Sequence, residues 1–397
     1  MQLALNLYQS MALAVGIFYL GSLLKKHCYI FQKYCIPSPV IGGIIFALVN
    51  LCFHMSKLLS LMIDTSLQGV FMNMFFTSVG FTAGFGMLKK GGRSLVAFMV
   101  SMTLLIIVQN SVGILLCKIF NLNSLLGLAL GSLPLTGGHG TSAAFGPLLE
   151  SIGVTNATTV AVAAATYGLV AGNIIGNPLA RKRILDLHLD STVSSENNAG
   201  IRQVKPSTLS HILDPEKGTI ALSLIFVALG AGTLISMMLQ KAQITIASYV
   251  GAMIVGIIIR NILESKGYSL PIQEISVIGS ISLNFFLALA MMGLKLHELA
   301  SLAIPMIVIL LVQTFLTGLF VYFITFRLCG GDYDAAVLVT GHCGFGLGAT
   351  PNAMANMDSL TKTFGPSEKA YLIIPVCGGF FSDIINTLLV TLFINLL

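Results

Sequence analysis

The sequence predicts an all-α polytopic membrane protein, with ten transmembrane helices in two inverted-topology five-helix repeats, each carrying a re-entrant hairpin. Three observations lead there. Hydrophobic residues make up 55% of the 397 and charged residues only 9%, against about 25% charged in a soluble domain. The apolar residues gather in runs of about 20, the length that crosses a bilayer as a helix. Two further apolar segments are broken at their centres by glycine-dense stretches, Leu133-Pro134-Leu135-Thr136-Gly137-Gly138-His139-Gly140-Thr141 and Val339-Thr340-Gly341-His342-Cys343-Gly344-Phe345-Gly346.

Taken in order, the first half (residues 1–180) holds five spans: Leu3–Leu24, Pro37–Phe53, Gln68–Leu88, Ser94–Cys117 and Asn156–Ala180. The first lacks a basic leader and a small-residue cleavage site, so it reads as a spanning helix. A polar linker, 181–217, follows and is expected on the cytoplasmic side. The second half (218–397) repeats the pattern with Gly218–Leu239, Ile244–Ile262, Ile275–Leu294, Ala303–Leu328 and Lys369–Leu396. The interrupted segments, 122–150 and 332–356, are left over. An arm such as Asn123–Leu133 reaches only about 16 Å as a helix, half of the ~30 Å hydrocarbon core. Such an arm enters and returns, which predicts hairpins.

With the first residue outside, the inner loops hold every Lys and Arg of the 21 except Lys57, Lys118, Lys241 and Lys295. That asymmetry satisfies the positive-inside rule and puts both termini outside. Five spans is an odd number, so two related halves would lie inverted. At an offset of 204, Val108/Val312, Gln109/Gln313, Thr136/Thr340, Gly137/Gly341 and Gly140/Gly344 are identical. Inverted repeats with broken helices at the midplane are the architecture of secondary transporters.

The composition also excludes. The net charge of +6 sits in loops between spans and is no nucleic-acid footprint. None of the seven cysteines forms a CxxC pair, so no metal or redox motif is indicated. There is no HExxH, no P-loop and no nucleophile triad, so neither an enzyme nor an ATP-driven pump is expected.

The candidate solute site is built on the glycine stretches. Gly137, Gly138, Gly140, Gly341, Gly344 and Gly346 can present bare N–H groups to an anion, with hydroxyls from Thr136, Thr141 and Thr340. The same glycines could instead serve close helix packing. His139 could bond a carboxylate or move a proton, or be satisfied by neighbouring backbone. Gln109, Asn110 and Gln313 are amides inside the fourth span of each half, suited to a ligand or to gluing helices. Asp383 stands mid-span, where a carboxylate costs several kcal/mol unless it pairs or binds a cation. Ser382 and Asn386 offer oxygens beside it, and Asn173 holds a comparable place in the first half. With Thr340 these form the candidate sodium set, since hard cations take oxygen ligands; a hydrogen-bonded structural Asp383 is the alternative. No Arg lies mid-span, which favours an anionic solute carried together with a cation.

These residues resemble the bacterial sodium/glutamate symporter family. The resemblance runs through 135–141, Asn156-Ala157-Thr158, Thr166-Tyr167-Gly168-Leu169-Val170, Met292-Gly293-Leu294-Lys295-Leu296, Tyr333-Asp334-Ala335-Ala336 and Gly341–Pro351. It covers essentially the whole chain and is weakest at about Leu185–Lys205. It implies Na⁺-coupled uptake of L-glutamate across the bacterial inner membrane, with Na⁺ as co-transported ion. A homodimer in membrane lipid, moving by an elevator-like mechanism, is implied as well. The related 2-hydroxycarboxylate transporters share a GGxG hairpin, matched by Gly137-Gly138-His139-Gly140, whereas Gly341-His342-Cys343-Gly344 keeps only the outer glycines. Transport of another carboxylate, such as citrate or malate, and a passive channel are the alternatives.

Overall fold

The structure is a computed structural model that describes residues 2–33, 36–55, 60–82, 84–189, 214–241, 249–294 and 302–397. Helices dominate it. The architecture is helical as expected, with one short addition: β1 (Gln2–Ala4) and β2 (Ser60–Met62) pair in parallel, three residues each.

In chain order the helices are α1 (Leu7–His27), α2 (Tyr29–Lys33), α3 (Ser38–Met55), α4 (Ser66–Thr82), α5 (Phe85–Ile119), α6 (Leu126–Ala129), α7 (Ser132–Leu135), α8 (Gly138–Ser151) and α9 (Ala157–Asp186). Then come α10 (Pro215–Lys241), α11 (Val250–Ser265), α12 (Ile272–Met292) and α13 (Ala303–Phe320). α13 continues through a π-helical turn, Val321–Thr325, into α14 (Phe326–Leu328). After α15 (Tyr333–Gly346) and α16 (Thr350–Phe364), α17 (Glu368–Val376) passes through a second π-helical turn, Cys377–Phe381, into α18 (Ser382–Leu396).

Local chemistry sets the ends. Asn6 caps α1 in a reciprocal box with Gln9, and Lys25, Lys26 and His27 occupy its last turn, where the helix dipole favours cations. Among the described residues six helices are long and apolar enough to cross a membrane: Leu7–His27, Gly92–Ile119, Ala157–Asp186, Pro215–Leu239, Ile272–Met292 and Ala303–Leu328. The last expected span is a pair, Glu368–Gly379 and Ser382–Leu396, bent by 42°. The other three expected spans are shorter helices: α3 has 18 residues, α4 17 and α11 16. At 1.5 Å per residue the shortest is about 24 Å long. The expected span Gln68–Leu88 ends early, because α4 stops at Thr82 and Phe85 already belongs to α5. Gly92 kinks α5 with φ 59° and ψ −157°, a backbone that only glycine adopts without strain. The linker expected from residue 181 begins inside α9, which runs on to Asp186; 190–213 lie outside the described residues, as do Lys57, Arg202, Lys205 and 295–301.

Packing cuts across the chain. α1, α3 and α4 pack with α10, α11 and α12 into one bundle, while α5–α9 and α13–α18 form a second. So each bundle takes helices from both halves. Inside the second, Phe98, Tyr333, Phe345 and Met357 are buried together. The seam between the bundles is also apolar. Phe76, Phe145, Tyr249 and Phe286 belong to one buried cluster there, with Tyr249 stacked on Phe76 at 3.8 Å between ring centroids and edge-on to Phe145 at 5.9 Å.

Candidate functional site

The first interrupted segment is broken twice. α6 and α7 are single turns separated by Gly131, and the chain then bends at Gly137 and at Gly138, whose φ is +66°. α8 starts at once from that bend, and no side chain caps it. Its first N–H groups therefore have no helical acceptor and point along the axis toward whatever lies beyond. Three side chains hold the bend from behind. The Thr141 hydroxyl donates across it to the Leu133 carbonyl at 2.6 Å. The Ser132 backbone N–H donates to Asn110 Oδ1 at 3.0 Å. Ser132 and Asn386 bond reciprocally, hydroxyl to Oδ1 at 2.6 Å and Nδ2 to carbonyl at 3.2 Å.

The second break is not where the glycines predict it. Thr340, Gly341, Gly344 and Gly346 are all buried within α15. The chain leaves the helix at Leu347-Gly348-Ala349, with Ala349 fully extended at φ −158° and ψ 161°, and α16 starts at Thr350-Pro351. The physical reason is packing. A Cβ on Gly344 would lie 2.4 Å from the Ala353 Cα, and one on Gly341 2.6 Å from Ile374, so these glycines let α15 lie against α16 and α17. His342 is likewise interior: its Nδ1 is 3.0 Å from Thr325 Oγ1, and its ring stacks on Phe345.

Both breaks open on one cavity of about 220 Å³. Thr136, Gly137, Gly138, His139, Gly140 and Thr141 line it from the first break, and Gly348, Ala349, Thr350 and Pro351 from the second. Leu169 of α9, Gly378 and Gly379 of the π-helical turn, and Asp383 complete the second bundle's share. Pro37, Phe75, Phe76, Leu283 and Leu287 close it from the first bundle. The cavity thus sits on the seam. No Lys or Arg is among these lining residues.

Within that frame the candidates separate. Asp383 lines the cavity and has no hydrogen-bond or ion-pair partner among the described residues. Its neighbour Ser382 has a buried hydroxyl, and Asn352 a buried Oδ1, both unpartnered. His139 lines the cavity with Nε2 3.0 Å from Thr166 Oγ1. Because the Thr166 hydroxyl already donates to the Val162 carbonyl, His139 Nε2 is assigned the proton in that contact.

The amides do not reach the cavity. Gln109 Oε1 accepts from the Thr136 hydroxyl at 2.9 Å, and its Nε2 donates to the Gly346 carbonyl at 2.8 Å and to Thr317 Oγ1 at 3.1 Å. Gln313 Nε2 donates to the Gln109 carbonyl at 2.7 Å. Thus Gln109 ties the residue before one break to the last residue of the helix before the other. Thr340 donates to Asn177 Oδ1 and Asn173 to the carbonyl of Leu169, itself a lining residue; neither Thr340 nor Asn173 lines the cavity, and Asn386 stays behind the first break. Of the candidate cation set, Asp383 alone faces the cavity.

Sequence reasoning counted Gly348–Pro351 in the family-like run Gly341–Pro351 but not among the candidate site residues, and it did not single out the apolar wall. One signal was present: a proline at the first or second helical position marks a helix start, and Thr350-Pro351 stands there.

A family model described as Sodium/glutamate symporter matches residues 3–366 of this chain. A sodium/glutamate symporter of Escherichia coli (strain K12) is 40% identical over 379 residues, which are 95% of this chain and 94% of that protein. One from Haemophilus influenzae is 38% identical over 392 residues, 98% and 97% of the two chains. A solved structure of the sodium proton antiporter MjNhaP1 from Methanocaldococcus jannaschii covers 99% of this chain and 98% of its own at 15% identity, with a TM-score of 0.45, too distant to carry an argument.

Proposed function

The chain belongs to the sodium/glutamate symporter family, and from that premise we propose that it carries L-glutamate into the cell together with Na⁺. The observation that carries this reading is the cavity where two uncapped helix starts, α8 and α16, meet the unpaired Asp383 carboxylate. Free N–H groups at helix starts receive carboxylates; α8 offers those of its first turn, whereas α16 offers the Thr350 N–H, since Pro351 has none and the Asn352 N–H donates to the Ala349 carbonyl at 2.9 Å. With no guanidinium or ammonium in the lining, the solute's negative charge is balanced by the helix dipoles and by the cation. Asp383 and the peptide oxygens of the Gly378-Gly379 turn, which line the cavity, are the oxygen donors we assign to Na⁺.

The same reading includes ten crossings. Helix starts, with the Gly92 kink taken as the start of the apolar span within α5, recur 206 to 212 residues apart: Leu7 with Pro215, Ser38 with Val250, Ser66 with Ile272, Gly92 with Ala303, Ala157 with Glu368. That recurrence supports two five-helix repeats, 1–180 and 218–397, each with a hairpin, 122–150 and 332–356. Placed by its basic loops in the bacterial inner membrane, the chain has both termini on the periplasmic side. An elevator-type cycle fits a seam of ring and aliphatic contacts with the cavity on it, and the functional unit is a homodimer.

Purified protein in sealed vesicles, given labelled glutamate, tests the coupling. Accumulation above equilibrium is expected only with an inward sodium gradient. Accumulation that is the same with choline in place of sodium sinks it, equilibration without accumulation makes the protein a channel, and stronger competition by citrate or malate than by glutamate moves the substrate.

A further inference from the structure

A second concavity, of about 570 Å³, lies between α9 and α13. Ile175 and Leu179 form one wall, Leu311 and Phe315 the other. Gly318 opens it: a Cβ there would already touch Leu179 Cδ1 at 3.4 Å and Ile175 Cδ1 at 3.5 Å. Apolar lining alone decides nothing, because every lipid-facing helix is apolar. The end of the groove is what distinguishes it. Lys182 closes it beside Tyr322, within the run Arg181-Lys182-Arg183. Among the described residues none of these three cations forms an ion pair. Arg183 gives its guanidinium to the Tyr322 carbonyl, at 2.7 Å from Nη2 and 3.1 Å from Nε, and lies 3.7 Å over the Tyr322 ring. A carbonyl leaves that charge uncancelled, and no Asp or Glu is among the residues lining the groove. One end of an oily channel is therefore positive.

We propose that this groove holds an acyl chain of an anionic phospholipid, with the lipid phosphate against Lys182. Basic pockets between transmembrane helices recognise such headgroups. The inference does not depend on what the central cavity transports.

Thermal unfolding of the purified chain in detergent tests it, with added dioleoyl phosphatidylglycerol compared with dioleoyl phosphatidylcholine. Phosphatidylglycerol is expected to raise the melting temperature by about 3 °C more than phosphatidylcholine does. Lys182→Glu removes that increment, Lys182→Arg keeps it, and Gly318→Leu removes it by filling the channel with the lysine intact. If Gly318→Leu does not fold, the Glu and Arg variants decide between them. Native mass spectrometry should retain phosphatidylglycerol on the wild-type chain and not on Lys182→Glu. Equal stabilisation by both lipids, or an increment that survives in Lys182→Glu, overturns the assignment. So does a fall in particle mass by light scattering in Gly318→Leu, which would give the groove to a second copy of this chain.

Discussion

Asp383 is a carboxylate with room beside it and no partner. Inside a bilayer such a group costs several kcal/mol unless it pairs or binds a cation, and the occupant proposed for it is Na⁺. Asp383→Asn preserves shape and removes the charge. The expected result is a half-saturating sodium concentration raised at least about tenfold, roughly 1.4 kcal/mol of lost cation affinity, with the amount of protein in the membrane unchanged. An unaltered sodium curve would make Asp383 a packing residue. Gln109 makes the opposite case. Its side chain is spent on Thr136, Thr317 and the Gly346 carbonyl, so Gln109→Leu leaves buried polar groups unpaired at about 1–3 kcal/mol each. Both melting temperature and maximal uptake should fall, and an unchanged melting temperature would argue that Gln109 meets the solute instead. The sequence made both residues conspicuous, since a polar side chain in an apolar run needs a partner. It could not distinguish them, because the partner is a distant residue: Gly346 lies 237 positions from Gln109.

At the scale of elements, the two breaks predict different fates for two glycines. Gly138 holds φ +66° with its would-be Cβ 3.3 Å from the Gly348 carbonyl oxygen. Gly138→Ala places a side chain in left-handed backbone at about 1–2 kcal/mol at the cavity lining, so protein should accumulate while uptake drops. Gly344→Val instead drives a branched side chain into the backbone of α16, 2.4 Å away at its first atom. Forcing α15 and α16 apart costs about 1–3 kcal/mol or more, read as loss of folded protein in the membrane. The reverse pattern would return the second break to the glycines. This pair also shows what was legible. Hydropathy found the helices, and Leu133–Thr141 located the first break because Gly137 and Gly138 there do bend the chain. In the second half the same glycine density serves close approach, and density alone does not separate the two uses. Thr350-Pro351 carried the better signal, and the 204-residue offset drew attention away from it, since the helix starts, with the Gly92 kink standing for that of the span in α5, recur 206 to 212 apart. Crossing lengths were less legible still, because apolar composition does not say where a helix such as α4 or α11 stops.

For the whole molecule, what matters is that both breaks, the π-helical turn and Asp383 ride on one bundle, while the other supplies only Phe75, Phe76, Leu283, Leu287 and Pro37 to the cavity. Across the seam the cavity's far wall is ring and aliphatic surface, and one polar contact is the Tyr249 hydroxyl 3.3 Å from Thr387 Oγ1. Apolar surfaces can slide past each other without unpairing donors and acceptors, so the solute and its cation could travel with one bundle past the other, as the elevator reading requires. A covalent tie across the seam tests this. Tyr249 and Thr387 face one another across the seam, their hydroxyl oxygens 3.3 Å apart, and neither lines the cavity. In a background with the seven native cysteines replaced, the pair Tyr249→Cys and Thr387→Cys joined by a short reducible thiol crosslinker should lose uptake, and recover it when the crosslink is reduced. Sodium-dependent glutamate binding should survive the crosslink, because every proposed ligand group remains on the same bundle. Uptake that persists with the tie in place would mean that the solute crosses without relative movement of the bundles, through a path gated inside the second bundle alone.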